Sequence, residues 1–133
     1  MKIEMYLPFE EGLPQSTAQQ KGYNRRTGAF YRKEKVARAR RLFIVKMAKS
    51  KPKKPSDKPI ALTISLYFSV KSPKKLWGTY KTTRPDCDNY AKELIDAMTD
   101  IGFWKDDAQI VDLHITKHYS EKATIYIRME ELK

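Results

Sequence analysis

Hydrophobic positions alternate with polar ones in four stretches of this chain and recur at helical spacing in two others. Residues 2–9, KIEMYLPF, alternate Ile3, Met5, Leu7 and Phe9 with Lys2, Glu4, Tyr6 and Pro8, the period-two pattern of a half-buried strand. Pro8 has no amide hydrogen, so it ends that strand or marks an edge. Residues 60–70 give the clearest strand, with Ile60, Leu62, Ile64, Leu66, Phe68 and Val70 separated by small or polar partners. Val111, Leu113 and Ile115, then Ala123, Ile125, Ile127 and Met129, alternate in the same way, and two neighbouring strands joined near SEK predict a hairpin.

Helical spacing appears over residues 88–101, where Ala91, Leu94, Ile95, Met98 and Ile101 form one apolar stripe that Gly102 terminates. Residues 30–49, without Gly or Pro, carry Val36, Phe43 and Met47 at near-helical spacing beside Ala37, Ala39 and Ile44, which predicts a basic amphipathic helix. Between these elements, the polar stretch from Gly12 to Gly28, the connection SKPKKPSDKP, expected to be exposed, and the segment KSPKKLWGTYKTTRP read as loops. The order β, α, β, α, β, β predicts a small α/β domain of the α+β type, a mixed sheet with two main helices packed on it. At 133 residues the chain suits one domain spanning 1–133.

Charge changes this picture from a generic small domain to one with a polyanionic partner. The formal net charge is +11, and it is unevenly placed. Residues 21–58 hold fifteen Lys or Arg against Glu34 and Asp57, and residues 71–85 hold five bases and no acid, whereas residues 86–133 hold eleven acids and six bases. Such a concentration points to nucleic acid before membrane, because no amphipathic anchor accompanies it; the bland alternative is a solvated basic surface. Candidate phosphate contacts are Arg25, Arg26, Arg32, Lys33, Lys74, Lys75, Lys81 and Arg84, with Arg38, Arg40 and Arg41 along the basic helix. The N-terminus lacks a basic region followed by an apolar run, and no apolar stretch approaches a membrane span, so a cytoplasmic protein is expected. Cys87 is the only cysteine, which suits a reducing compartment and excludes an internal disulfide.

Against this basic background, RPDCDNYAK at residues 84–92 sets Asp86 and Asp88 at the head of a helix. A structural reading makes one aspartate the helix cap and the other a complement to the helix dipole. Three features favour a site instead. Lys92 lies four residues after Asp88 on the same face, and Asp96 continues that column. Asp106 and Asp107 follow the helix at a turn, although spacing alone leaves open whether that turn brings Asp107 to the helix start. Clustered carboxylates also repel one another unless a cation sits among them. Hard oxygen ligands select Mg²⁺, with Mn²⁺ as a substitute. The lysines and arginines would then hold a polyanion while the aspartates hold a metal that helps to cut it.

The stretch RPDCDNYAKELIDAMTDIGFWKDDAQIVD, residues 84–112, resembles the signature region of the RusA family of Holliday junction resolvases. The pattern is D-x-D-N, a lysine three residues on, a helix of D-A-L type, and G-hydrophobic-W-x-D-D-x-Q. Asp86, Asp88, Asn89, Lys92, Asp96, Ala97, Gly102, Trp104, Asp106, Asp107 and Gln109 fall where that pattern expects them. Nearer the N-terminus, GLPQSTAQQKGYNRRTGAFY stands in for the family's usual Pro-Pro-Ser-x-Asn opening. The resemblance implies a homodimeric, Mg²⁺-dependent endodeoxyribonuclease that resolves four-way DNA junctions by paired symmetrical nicks in recombination and repair. It further implies that Asp86, Asp88 and Asp107 are the metal-binding and catalytic aspartates, that Lys92 is the catalytic lysine, and that no small-molecule cofactor or membrane is involved. The runner-up is a non-catalytic basic nucleic-acid binding module; a third reading is a nuclease of the same fold acting on other branched DNA.

The remaining candidates carry less. His114 and His118 lie four apart on a strand, where that spacing separates a pair by two pleats, so they are expected as ordinary surface or core histidines. Cys87 has no histidine partner and reads as a small half-buried thiol. Trp77 and Tyr80, set among Lys74, Lys75 and Lys81, either stack on bases or fold back on their own loop. Trp104 is expected to pack between helix and sheet and to position Asp107.

Overall fold

A computed structural model describes residues 1–14, 21–24, 29–32 and 34–133, with backbone alone for 21–24, 29–32 and 34–36. Its elements are β1 (Lys2–Pro8), β2 (Lys21–Asn24), β3 (Ala29–Arg32), α1 (Glu34–Met47), β4 (Ile60–Ser69), α2 (Cys87–Ile101), β5 (Ile110–Ser120) and β6 (Thr124–Glu131). Four strands form one mixed sheet in the order β1-β6-β4-β5, with β4 antiparallel to β6 and parallel to β5. This is the α+β architecture expected from the element pattern. Among the described residues no helix is long and apolar enough to cross a membrane.

One face of the sheet is dry. Met5 and Leu7 of β1, Ile60 to Phe68 at alternate positions of β4, and Ile125, Ile127 and Met129 of β6 are all buried. Against them lie Ala39, Phe43 and Met47 of α1 and Tyr90, Ala91, Leu94, Ala97 and Met98 of α2, each set at the three- and four-residue spacing that makes a helical stripe. Phe43 and Phe68 both meet the ring of Tyr90 edge-on, at 6.0 and 5.9 Å, a favoured aromatic geometry. The opposite face carries Tyr6, Tyr67, Tyr126, Arg128 and His118, which stay partly or largely exposed.

Three expectations are corrected. The helix expected from residue 30 begins at Glu34, because Ala29–Arg32 is a strand paired antiparallel with Lys21–Asn24, inside the stretch expected to be loop. Phe30 and Tyr31 favour extended backbone, and Ala39, Phe43 and Met47 are the buried positions among the described side chains of α1. The expected β5–β6 hairpin is replaced by a crossing connection: β4 lies between the two strands. As the strand buried most completely on the helix-covered face, β4 takes the centre, where both neighbours shield it. Finally, the connection over residues 50–59 is not simply exposed. Ser56 is buried, its amide donates to the Phe103 carbonyl and its carbonyl accepts from the Lys105 amide, both at 3.1 Å. That bridge ties the chain ahead of β4 to the turn that follows α2.

Candidate active site

The aspartate pair sits where α2 begins. Asp86 has extended backbone angles, φ −69° and ψ 144°, and its carbonyl accepts the first helical hydrogen bond from the Tyr90 amide at 3.1 Å. Its carboxylate, however, accepts no capping bond from the helix backbone; its partner is the side-chain Nδ2 of Asn89, which donates to it at 3.4 Å. Asp86 therefore occupies the cap position without performing the cap, which weakens the purely structural reading of this residue. Asp88, in the first turn, is exposed, as is Lys92 one turn later. Because Tyr90, Ala91, Glu93, Leu94, Ala97 and Met98 face the core, the column Asp88, Lys92, Asp96 and Asp100 runs along the outer side.

A lysine that the pattern reading overlooked fixes the approach to this pair. Lys117 projects from β5 on the helix side of the sheet, and its ammonium donates to the carbonyls of Thr83 and Pro85, both at 2.7 Å. The signal lay in the alternation of β5, where Leu113 and Ile115 are followed by Lys117 in the same inward register. Close by, the Tyr119 hydroxyl is pulled below the usual tyrosine range, first by its hydrogen bond with Thr83 and then by the ammonium groups of Lys81 and Lys117.

At the far end of α2, Gly102 adopts φ 99° and its amide donates to the Met98 and Thr99 carbonyls, the left-handed cap that glycine accommodates without strain. The chain then enters a single 3₁₀ turn, Asp107–Gln109, and the adjacent aspartates divide the work. Asp106 caps the turn, its carboxylate accepting from the Ala108 amide at 2.9 Å. Gln109 uses both ends of its amide: Oε1 accepts from Lys105 and Asp106 at 3.0 and 2.8 Å, and Nε2 donates to the carbonyls of Ser56 and Lys58, both at 2.9 Å. Asp107 is thereby left exposed and outside the cap. Trp104 is buried as expected, its indole donating to Thr99 at 2.7 Å.

Asp107 lines a cleft with Asp96, Asp100, Asp106, Arg40 and Lys105. The turn thus sets Asp107 against the charged column of α2 at the level of Asp96 to Asp100, about 12–18 Å along the axis from Asp88 at 1.5 Å per residue. Among the described residues, no three acids, histidines or cysteines converge closely enough to hold a metal ion. A sequence model of the family described as "Endodeoxyribonuclease RusA" matches residues 11–130. The chain belongs to the RusA family. It is 34% identical, over 134 residues covering 99% of this chain and all of the relative, to the crossover junction endodeoxyribonuclease rusA of Lactococcus phage r1t. Shorter matches are to the RusA crossover junction endodeoxyribonuclease of Escherichia coli strain K12, 53% over 34 residues, and to the uncharacterized protein YqaN of Bacillus subtilis, 43% over 51 residues. These span 26% and 38% of this chain, and 28% and 35% of the respective relatives.

Within this RusA chain the basic candidates fare differently. Arg25, Arg26 and Lys33 lie outside the described residues, and of Arg32 only the backbone is described. Arg40, one of the bases along the helix expected to supply phosphate contacts, turns inward. Its guanidinium donates to Glu93 at 3.2 Å and to the Asp96 carbonyl at 3.3 Å, and also pairs with Asp100. A half-buried arginine satisfying the second helix is no longer a surface phosphate ligand. Lys74, Lys75 and Arg84 are exposed on the loop between β4 and α2, while Lys81 bonds Thr83 at 2.7 Å and covers the Tyr119 ring at 5.1 Å. The histidines do not form a ligand pair: His114 meets Asp112 at 3.0 Å and His118 meets Thr116 at 2.8 Å. Cys87 is a half-buried free thiol.

Proposed function

We propose that this RusA-family nuclease cleaves four-way DNA junctions by paired, symmetrical nicks in a Mg²⁺-dependent reaction, as a homodimer acting in recombination and repair in the cytoplasm. The observation that carries the reading is Asp86, which heads α2 without capping it and stands beside the exposed Asp88 and Lys92. A residue in the cap position whose carboxylate is left out of the cap is available for a ligand. The full-length likeness to a phage crossover junction endodeoxyribonuclease supports the substrate.

The donor chemistry fits Mg²⁺, which is commonly held by one or two carboxylates together with waters and substrate phosphates rather than by an all-protein cage. Asp86 and Asp88 would supply those carboxylates, with Mn²⁺ as a substitute; Asp107, which the family resemblance assigns to the same set, instead lines the cleft beside Asp96 and Asp100 in this chain and does not converge with Asp86 and Asp88. When bound, such an ion polarises the scissile phosphate, lowers the pKa of an attacking water and stabilises the leaving oxygen. The chain's own contribution is electrostatic. The amide-rich start of α2 favours an anion at Asp88's end of the helix, and the Lys92 ammonium on the same face neutralises charge that builds on the phosphate. Lys74, Lys75, Lys81 and Arg84 hold the backbone of the DNA beside it. Cutting two strands of like polarity at related positions calls for two equivalent sites, which twofold symmetry supplies.

A labelled synthetic four-way junction and its matched linear duplex, incubated with Mg²⁺ or EDTA, test the proposal with wild type and the Asp86→Asn, Asp88→Asn and Asp107→Asn variants. Paired nicks confined to the junction and to Mg²⁺, lost in each variant while junction binding persists, are expected. Variants that retain full cleavage would remove the aspartates from the chemistry; a wild type that binds but never cuts would make the chain a binding module.

A further inference from the structure

The two aromatic residues of the loop between β4 and α2 have opposite fates. Trp77 folds back: its indole donates to the Val70 carbonyl at 2.8 Å, and the Lys74 ammonium lies 5.8 Å from the ring centre. Tyr80 is 72% exposed, yet it is not loose. Residues 78–81 run antiparallel to the end of β5, with Gly78 donating to Tyr119 at 2.9 Å, Tyr119 to Thr79 at 2.9 Å and Lys81 to Lys117 at 3.0 Å, and Tyr80 opposite His118. The Tyr80 ring rests on His118 at 5.2 Å. His118 in turn stacks on Tyr67 at 4.9 Å with an interplanar angle of 17°, and its Nε2 is fixed to Thr116 at 2.8 Å. Three rings thus cross β4, β5 and the loop in one row, and the last presents its outer side to water.

A tyrosine held out on a pedestal, while its neighbour Trp77 folds down, is arranged for a partner with a flat face. The surroundings define that partner, since residues 71–85 contribute Lys71, Lys74, Lys75, Lys81 and Arg84 and no acid. Bases for the backbone and an aromatic for the nucleobase are the two ingredients of unpaired-strand recognition. The same loop continues into α2, so Asp86 follows Tyr80 by six positions in the chain. The geometry points to Tyr80, supported by His118 and Tyr67, as a stacking site for a DNA base face left unstacked at the branch point. In a duplex every base already has neighbours on both sides, whereas a crossover exposes base faces that Tyr80 can cover. The site therefore favours branched over linear DNA, and it rests on the junction-cutting reading given above.

The test is equilibrium binding of the full chain in EDTA to a four-way junction and to the matched duplex, for wild type, Tyr80→Ala and Tyr80→Phe. Tyr80→Ala is expected to weaken junction binding by roughly ten-fold or more, in keeping with the loss of one base–aromatic stack, and to leave duplex binding unchanged. Tyr80→Phe should bind as wild type does, because stacking needs the ring and not the hydroxyl. Unchanged junction affinity in Tyr80→Ala, an equal loss on junction and duplex, or a Tyr80→Phe variant as weak as the alanine would each overturn the proposal. A wild type with no preference for the junction would instead overturn the substrate reading beneath it.

Discussion

Single side chains decide which acids are free and which are committed to the fold. In the pair at 106 and 107, the sequence shows two equivalent aspartates; the distinction arises because Gln109 grips the segment at Ser56 and Lys58 and the backbone at 105–106, which makes Asp106 the cap. The box between Asp106 and Gln109 is local and readable as D-x-x-Q, but the anchor of Gln109 on Ser56 lies 53 residues away in the chain, so no local pattern could reveal that part. Glu131 is an acid committed in the other direction. The Ser56 hydroxyl donates to its carboxylate at 2.5 Å, and this bond, ahead of the opposing effect of desolvation, holds the Glu131 carboxyl below its ordinary value of 4.5. Since the folded value is the lower one, the bond's stabilisation is fully present above the unfolded value and is lost as pH falls through the folded one. Glu131→Gln should accordingly melt below wild type at neutral pH, with the gap closing as pH falls from the ordinary value of 4.5 through the lower folded one. Thermal melts over that range check it; a gap independent of pH would mean that the carboxylate's charge contributes nothing.

Between elements, the main polar link is Arg40, which joins α1 to α2 through Glu93, the Asp96 carbonyl and Asp100. Glu93 is fully buried and next in sequence to Lys92, so the pair sets the rotation that turns Asp88 and Lys92 outward. Removing one partner of a buried pair typically costs about 3–5 kcal/mol. Arg40→Ala is expected to lose an amount of that order in urea unfolding, and adding Glu93→Gln should recover part of it; a loss under about 1 kcal/mol would show that apolar packing alone holds the helices. This arginine is also where element patterns mislead, because a helix rich in bases looks uniformly solvent-facing until tertiary packing claims one of them. The same limit applies to the sheet. Each strand of the main sheet was legible from alternation, and α2 from its stripe and Gly102. Strand order was not, since alternation states which face is buried but not which neighbour lies beside it. The four-residue strands β2 and β3 are too short to show a period at all.

For the molecule as a whole, charge and shape separate affinity from selectivity. The excess of +11 attracts any polyanion, and each phosphate contact made by a lysine or arginine releases counterions without reading the structure of the DNA. Lys74 and Lys75, exposed on the loop that also carries Tyr80, belong to this unselective layer. Replacing both with alanine should weaken junction and duplex binding alike and reduce the slope of log K against log salt by roughly 2, close to one unit per lost contact. Tyr80→Ala should do the reverse, lowering junction affinity at every salt concentration while leaving the slope as it was, because a stacked ring displaces no counterion. Titrations of both variants on both DNAs across a salt series therefore resolve the loop into a layer that holds and a residue that selects. An unchanged slope in the double lysine variant would make these two lysines solvated surface charge and move the phosphate track to the exposed Arg38 and Arg84.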